Sequence, residues 1–332
     1  MFDEEEKQDM KKIYNTPSSD KKRIMKRFSL LLWLLLCGQL SLSSVEPAWG
    51  QLRREDANSS TAYSFSYSPI FQFESDLDGG GRFDVNRHYF AGGVKKQVNR
   101  KLRLGFAVSH HAEAWNFNDR IDVAGATPWE TIQRFGFSLP IRYVFNKKWI
   151  ASFSAMSEFA GEAGAESDDS LVYGGVLFLT HPFGKGSFFG FGFRAFQGLE
   201  EASLMPFILV NWRITPNLRL SNPFRSGPAG PAGLELIYTP ATNWEMSIGG
   251  AYRTMRFRLD DDNAVSNGIG ENESLVAFLR LQRKLGRVLT VDLMGGVLAN
   301  GKISIDNSNG DSIGEEDYDP ASFLAITLKA KF

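Results

Sequence analysis

The stretch 134–146 reads RFGFSLPIRYVFN, and its alternation decides the fold. Phe135, Phe137, Leu139, Ile141, Tyr143 and Phe145 fall on one parity, with Arg134, Gly136, Ser138, Pro140 and Arg142 on the other. Period two is the geometry of a β-strand, whose successive side chains point to opposite faces, whereas a helix needs apolar residues three and four apart. One face is bulky and unbroken and the other is small or cationic. Such a strand must set its greasy face against a second sheet or against lipid.

The same pattern extends outward from that stretch. Leu102, Leu104, Phe106 and Val108 oppose Arg103, Gly105, Ala107 and Ser109; Trp149, Ala151, Phe153 and Ala155 repeat it; Phe189, Phe191 and Phe193 oppose Gly190, Gly192 and Arg194. About fourteen strands are predicted, at 62–74, 83–98, 102–117, 131–145, 149–160, 170–183, 187–197, 203–214, 217–222, 232–240, 244–259, 274–285, 288–304 and 321–332. Many are about 10–16 residues long, beyond the usual globular strand and right for one that crosses a bilayer at a tilt. Short turns at 99–101, 146–148, 184–186, 215–217, 242–243 and 286–287 alternate with longer polar loops around 76–82, 118–130, 161–169, 198–202, 223–231, 260–273 and 305–320. An up-and-down sheet whose two ends face different compartments has that order. The fold expected is therefore all-β: a single antiparallel up-and-down transmembrane β-barrel over 62–332, with short periplasmic turns, long extracellular loops and both ends of the barrel chain periplasmic. Pro69, Pro140 and Pro206 fall inside strands, where each removes a ladder hydrogen bond, so bulges are expected there. A parity shift at Tyr252–Arg258 (YRTMRFR) suggests one more.

Composition agrees with this reading. The 332 residues carry 37 Lys+Arg and 38 Asp+Glu, a net charge of −1, which argues against a nucleic-acid partner. Phe 27, Gly 32 and a single Cys favour β-structure without a disulfide framework. No run after residue 45 is long enough for a transmembrane helix. Near the N-terminus, the basic KKRIMKR (21–27) precedes the apolar FSLLLWLLL (28–36), and Ala48-Trp49-Gly50 offers small residues for signal peptidase before Gln51. Residues 1–50 are thus expected to be an acidic extension plus a cleaved signal peptide, with translation starting at Met25, and 51–61 to be a short periplasmic segment. Leu36 before Cys37 does not fit a lipoprotein anchor. The chain closes on Leu324, Ile326, Leu328, Ala330 and Phe332. An alternating last strand ending in Phe332 has the form outer-membrane barrels present to the barrel assembly machinery as their assembly signal.

The segments Leu220–Tyr238 (LSNPFRSGPAGPAGLELIY), Tyr252–Asp262 (YRTMRFRLDDD), Gly268–Glu271 and Tyr318–Phe332 resemble a family of bacterial outer-membrane β-barrels classed as domain of unknown function 6268. The matching stretches cover roughly the last third of the chain; the N-terminal half matches by pattern. The resemblance implies a barrel in the outer membrane of a diderm bacterium, in contact with lipid and lipopolysaccharide, and carries over no activity or ligand. Within these stretches, the G-P-A-G-P-A-G of 222–233 has too few triplets for a collagen helix and reads as a rigid external loop.

Alternation places Arg103, Arg134, Arg142, Arg194, Arg213, Arg219, Arg253, Arg280, Lys284, Lys329 and Lys331 inward, with Glu113, Glu158, Glu235, Glu245 and Asp292 as the inward acids. A water-filled pore lined so, with Arg103, Arg134, Arg142, Glu158, Arg194, Arg213, Arg219, Glu235 and Arg280 as its principal lining, favours anions. The alternative is a non-conducting structural or surface-interaction barrel whose Arg and Glu residues pair across a side-chain-filled interior. The acidic segments 166–169, 260–262 and 306–319 read as solvated loops; an EF-hand register fails because Ile305 occupies its first position. Ser109, His111 and Glu113 share a strand face at ~7 Å spacing, too far apart for direct nucleophile–base contact. A hydrolase is the least favoured reading, and no spacing suggests a metal, a cofactor or an enzyme. A passive channel for small hydrophilic solutes, anions preferred, is the function expected.

Overall fold

The computed structural model describes residues 61–118, 123, 128–184, 186–222 and 232–332. The expected signal and the 222–233 loop lie largely outside them. The described chain forms β1 (Thr61–Asp76), β2 (Arg82–Gln97), β3 (Leu102–Asn118), β4 (Thr131–Val144), β5 (Ile150–Glu162), β6 (Leu171–Phe183), β7 (Ser187–Gly198), β8 (Glu201–Arg213), β9 (Leu218–Ser221), β10 (Ala232–Ala241), β11 (Trp244–Arg258), β12 (Ile269–Leu285), β13 (Leu289–Asp306), β14 (Ser312–Tyr318) and β15 (Ala321–Lys331). From β1 to β14 each pairs antiparallel with its chain neighbour, and β15, which pairs with β13, closes the ring on β1 (Ser64 opposite Lys331, Gln72 opposite Phe323). The result is one closed antiparallel barrel with fourteen wall strands. β14 and β15 are two halves of the fourteenth: both pair with β13 in a single register, Gly301 opposite Tyr318 and Leu298 opposite Ala321, broken by Asp319-Pro320. Proline has no N–H to give the ladder, so the interruption falls where the sequence dictates.

The ring row of 134–146 faces outward. Phe135, Phe137, Leu139, Ile141 and Tyr143 are exposed, as are Phe189, Phe191, Phe193, Leu204, Ile208, Ile248 (59%) and Leu279 (63%) on distant strands. An apolar belt running round a closed sheet is a liability in water and a well-solvated surface in hydrocarbon. The fold is that of an outer-membrane β-barrel. The end holding Thr61 and Phe332, where the backbones of Tyr63 and Phe332 exchange two hydrogen bonds of 3.0 and 3.1 Å, carries the short turns.

Several expectations are corrected. The connection across 305–320 is not a loop: a tight turn at 307–311 leads straight into β14, whose Glu315 and Asp317 pair with Lys302 across the ladder. The connections after β1 and β7 are also tight, the latter turning on Leu199 and Glu200 with φ of 51° and 61°. No register shift occurs at Pro69, Pro140 or Pro206. Pro206 stands opposite Phe193 of β7 in an unbroken register, and among the described residues β8 bonds to β9 only over Asn211–Arg213. The register of β11 is likewise unbroken from Trp244 to Arg258. The apparent parity shift at 252–258 has another cause. Above the lipid belt the outward residues become polar (Thr254, Arg256), while the inward ones become apolar (Met255, Phe257). Among the described strands, register shifts instead fall between Gln72 and Ser75, between Tyr238 and Ala241, between Ile305 and Asp306, and opposite Ser274 near Asn300 (φ 48°).

Candidate functional site in the barrel interior

The inner face is stratified. At the end away from Phe332, Phe83, Trp115, Trp129, Phe257, Ile303, Ile305 and Tyr318 form an apolar cap, all buried. Its rings meet edge to face: Trp129 to Phe257 at 4.8 Å and 86°, Phe83 to Tyr318 at 5.0 Å and 89°, the arrangement ring quadrupoles prefer. At the level of the cap the walls themselves touch. Gly161 of β5 and Arg258 of β11, which are not sheet neighbours, form a parallel bridge across the interior. The Glu162 carboxylate holds this closure by accepting from the backbone N–H of Glu130 (3.1 Å) and Asp260 (3.0 Å) and from Asn263 Nδ2 (3.0 Å). Arg258 donates to the Asp169 and Asn267 carbonyls and pairs with Glu200. In the exposed turn beyond, a hydrogen bond between Asp260 and Asp261 holds the first below the ordinary carboxylate range and pushes the second above it.

Below the cap lies a charged layer. Glu113 accepts from Arg87 Nε (2.9 Å), Tyr89 OH (3.0 Å) and Arg253 Nη2 (3.1 Å). Arg87 Nη2 donates to Gln72 (2.8 Å), and Arg253 Nη1 to Asn272 (3.1 Å), which in turn donates to Tyr318 OH (3.1 Å) and so ties the layer to the cap. Arg134 Nε donates to Glu158 (3.0 Å) on the neighbouring strand. Nearer the terminal end, Arg280 bridges Glu235 (2.6 Å) and Asp292 (2.8 Å), and Lys329 caps Asp292 at 2.8 Å. Carboxylates buried at this depth persist because each is paired and hydrogen-bonded.

The sequence-assigned lining residues divide accordingly. Arg134, Glu158, Arg194, Glu235 and Arg280 are buried on the inner face. Arg103, Arg142 and Arg219 are half-buried near the terminal mouth, Arg103 bonding Gln97 (2.8 Å), Arg219 reaching Glu245 (3.4 Å), and Arg103 standing directly opposite Arg142. Arg213 is exposed at the rim. Alternation alone did not mark the partners Gln72, Arg87, Tyr89 and Asn272, nor the cap. The signal available was the inverted polarity of β11 above the belt. Among the described buried residues the interior carries Arg87, Arg134, Arg194, Arg253, Arg258 and Arg280 against Glu113, Glu158, Glu235 and Asp292.

One sector is different. The inner faces of β6, β7 and β8 present Val172, Val176, Phe178, Phe188, Phe196 and Leu209, packed with Leu199 and with Ile269 of β12. These strands are apolar on both sides. For catalysis, Ser109 and His111 share a face with Glu113, but that carboxylate is committed to two guanidiniums and a phenol. Among the described residues no group of three or more His, Cys, Asp or Glu side chains is placed to hold a metal.

No family model matches the chain, and no curated protein does. Solved structures are similar in outline. An outer-membrane channel from Pseudomonas putida F1 shares 10% identity over 87% of this chain and 100% of that one, with a TM-score of 0.45. The toluene transporter TodX of P. putida shares 8% over 83% and 90%, at 0.40. The translocator domain of the autotransporter NalP from Neisseria meningitidis shares 9% over 84% and 90%, at 0.31.

Proposed function

We propose that the protein is an outer-membrane channel for small hydrophilic solutes that favours anions, with its cap at the extracellular mouth and its short turns and Phe332 in the periplasm. The observation that carries this reading is the cationic excess on the inner face, together with Arg103 set directly opposite Arg142 at the terminal mouth. Like charges across a ladder cost stability, and fixed cations in a confined space concentrate anions. The apolar belt supports contact with outer-membrane lipid and lipopolysaccharide. The terminal Phe332, on an alternating last strand, supports delivery by the barrel assembly machinery. The motifs in the last third of the chain support membership of the barrel family they resemble.

A second reading, a non-conducting barrel, is favoured by one specific observation: the cap and the paired charges fill the far half of the interior with buried side chains. Planar-bilayer recording in a salt gradient separates the two. The channel reading expects unitary currents with a reversal potential on the anion-selective side, moved toward cation selectivity by Arg103→Glu with Arg142→Glu. Silence, or cation preference in the unaltered protein, overturns it.

A further inference from the structure

The ladder of the wall is interrupted along one line. On β11 the pairing with β10 stops at Tyr252, among the described residues. Ser274 of β12, opposite Arg253, continues the line: it has no partner at the shift against β13, where Asn300 takes φ 48°. Next along, Asp319-Pro320 parts β14 from β15, and the Asp319 N–H donates to the Asp76 carbonyl of β1 (2.9 Å), whose own register shifts between Gln72 and Ser75. The two remaining shifts, at Tyr238–Ala241 and Ile305–Asp306, sit beside turns. An extra residue in one strand bends it and sharpens its twist. Five adjoining wall strands irregular along one line make a crease.

Beyond the crease, 253–258 of β11, 269–273 of β12, 301–306 of β13 and β14 form a four-stranded lobe with two unlike faces. Its inner face presents Met255, Phe257, Ile303, Ile305 and Tyr318, buried in the cap with Phe83, Trp115 and Trp129. Its outer face is polar: Thr254 donates to Glu271 (2.7 Å), and Arg256 reaches Glu271 (3.5 Å) and Asp306 (3.2 Å). The β14 edge is tied to the chain after β1 by backbone bonds, the Asp78 N–H donating to the Asp317 carbonyl at 3.0 Å. The β11 edge is held almost wholly by side chains. Apart from the one bridge to Gly161, Glu162 accepts from the Asp260 N–H and Asn263 of the lobe, and Arg258 and Arg256 pair with Glu200 (2.8 Å) and Glu201 of the β7–β8 turn.

We propose that this lobe is a lid over the capped mouth, turning on the crease and held shut by a clasp of Glu162 and Arg258. The crease supplies the hinge, since irregular positions at strand ends absorb the φ/ψ change that a regular ladder resists. The apolar underside keeps the lid closed at rest. The clasp is the part that lets go without unfolding a strand, because its contacts run through side chains, those of Glu200 and Glu201 being 47% and 56% exposed. With the lid lifted, the charged layer around Glu113 opens to the capped mouth. The lid rests on the channel reading in that it gates that channel; its movement, however, is measurable whether or not the barrel conducts.

The test uses the full mature barrel, 51–332, which has no cysteine of its own. Spin labels are placed at Asp262→Cys, on the tip of the lid, and at Asp168→Cys, between β5 and β6; both positions are exposed. In lipid nanodiscs, pulsed electron–electron resonance should show one short separation with the clasp intact. Glu162→Ala with Glu200→Gln should add a second, longer one. In planar bilayers this release variant should open at least about tenfold more often, since several hydrogen bonds of the closed state are lost. Joining the two cysteines with a short bis-maleimide should suppress those openings. A release variant whose label separation is unchanged, or a joined barrel that still opens as often as the unjoined one, overturns the lid. If Glu162→Ala does not fold, Glu200→Gln alone decides it by the same readouts. Label movement without any current removes the channel reading and keeps the lid; current without label movement does the reverse.

Discussion

Replacing Glu113 by Gln tests whether the interior is solid or wet. The carboxylate is 1% exposed and faces two guanidiniums whose side chains are 3% and 7% exposed. Gln keeps one oxygen, enough for Tyr89 and Arg253, but presents an amide N–H₂ where Arg87 Nε now donates. One charge-assisted hydrogen bond is lost, worth about 1.5–3 kcal/mol. In addition Arg87 and Arg253 are left as buried like charges, and breaking such a pair by removing one partner costs about 3–5 kcal/mol in all. Urea unfolding of the barrel in phospholipid vesicles, followed by tryptophan fluorescence, reads this directly. Glu201→Gln serves as the control, since Glu201 is 56% exposed in its pair with Arg256 and should cost under about 1 kcal/mol. Removing Arg87 as well should recover part of the loss, because the uncompensated charge goes with it. A Glu113→Gln barrel within about 1 kcal/mol of the unaltered protein would falsify the packed-interior argument: it would mean that water already solvates this layer.

Other consequences can be checked singly. Trp129→Ala removes the centre of the cap and should cost about 3–5 kcal/mol while raising conductance through the capped mouth, measured in the same bilayer experiment. Gly301→Ala should displace the Tyr318 ring, which occupies the place where the new Cβ would stand, and with it the bond to Asn272; a barrel of unchanged stability and tyrosine environment argues against this packing. Deleting Phe332 should slow assembly in cells while leaving refolding into synthetic vesicles largely intact; equal loss in both would assign Phe332 to stability rather than to recognition. Arg103→Glu with Arg142→Glu should move the reversal potential toward cations without destabilising the sheet, since the one Arg103–Arg142 like pair becomes another like pair.

Local pattern and distant contact contributed differently to this protein. Alternation is written in each strand separately, because side-chain direction depends only on the pleat, so fourteen wall strands, their outward rings and the ends of most of them were legible in residues such as Phe135–Phe145 and Leu324–Phe332. Connections were less legible: an acidic run such as 312–318 looks solvated until Lys302 is known to lie across the ladder from Glu315 and Asp317. Which of the inward charges meet, and the apolar cap above them, were not legible. Inward parity says that Glu113 and Arg253 share an enclosure, but the closure of β1 on β15 and the approach of β5 to β11 decide that they and Arg87 touch. The sequence by itself determined which face of each strand meets lipid. Only the tertiary structure decided that the opposite faces form a cap, a charge network and an apolar strip, since each is built from residues of strands far apart in the chain.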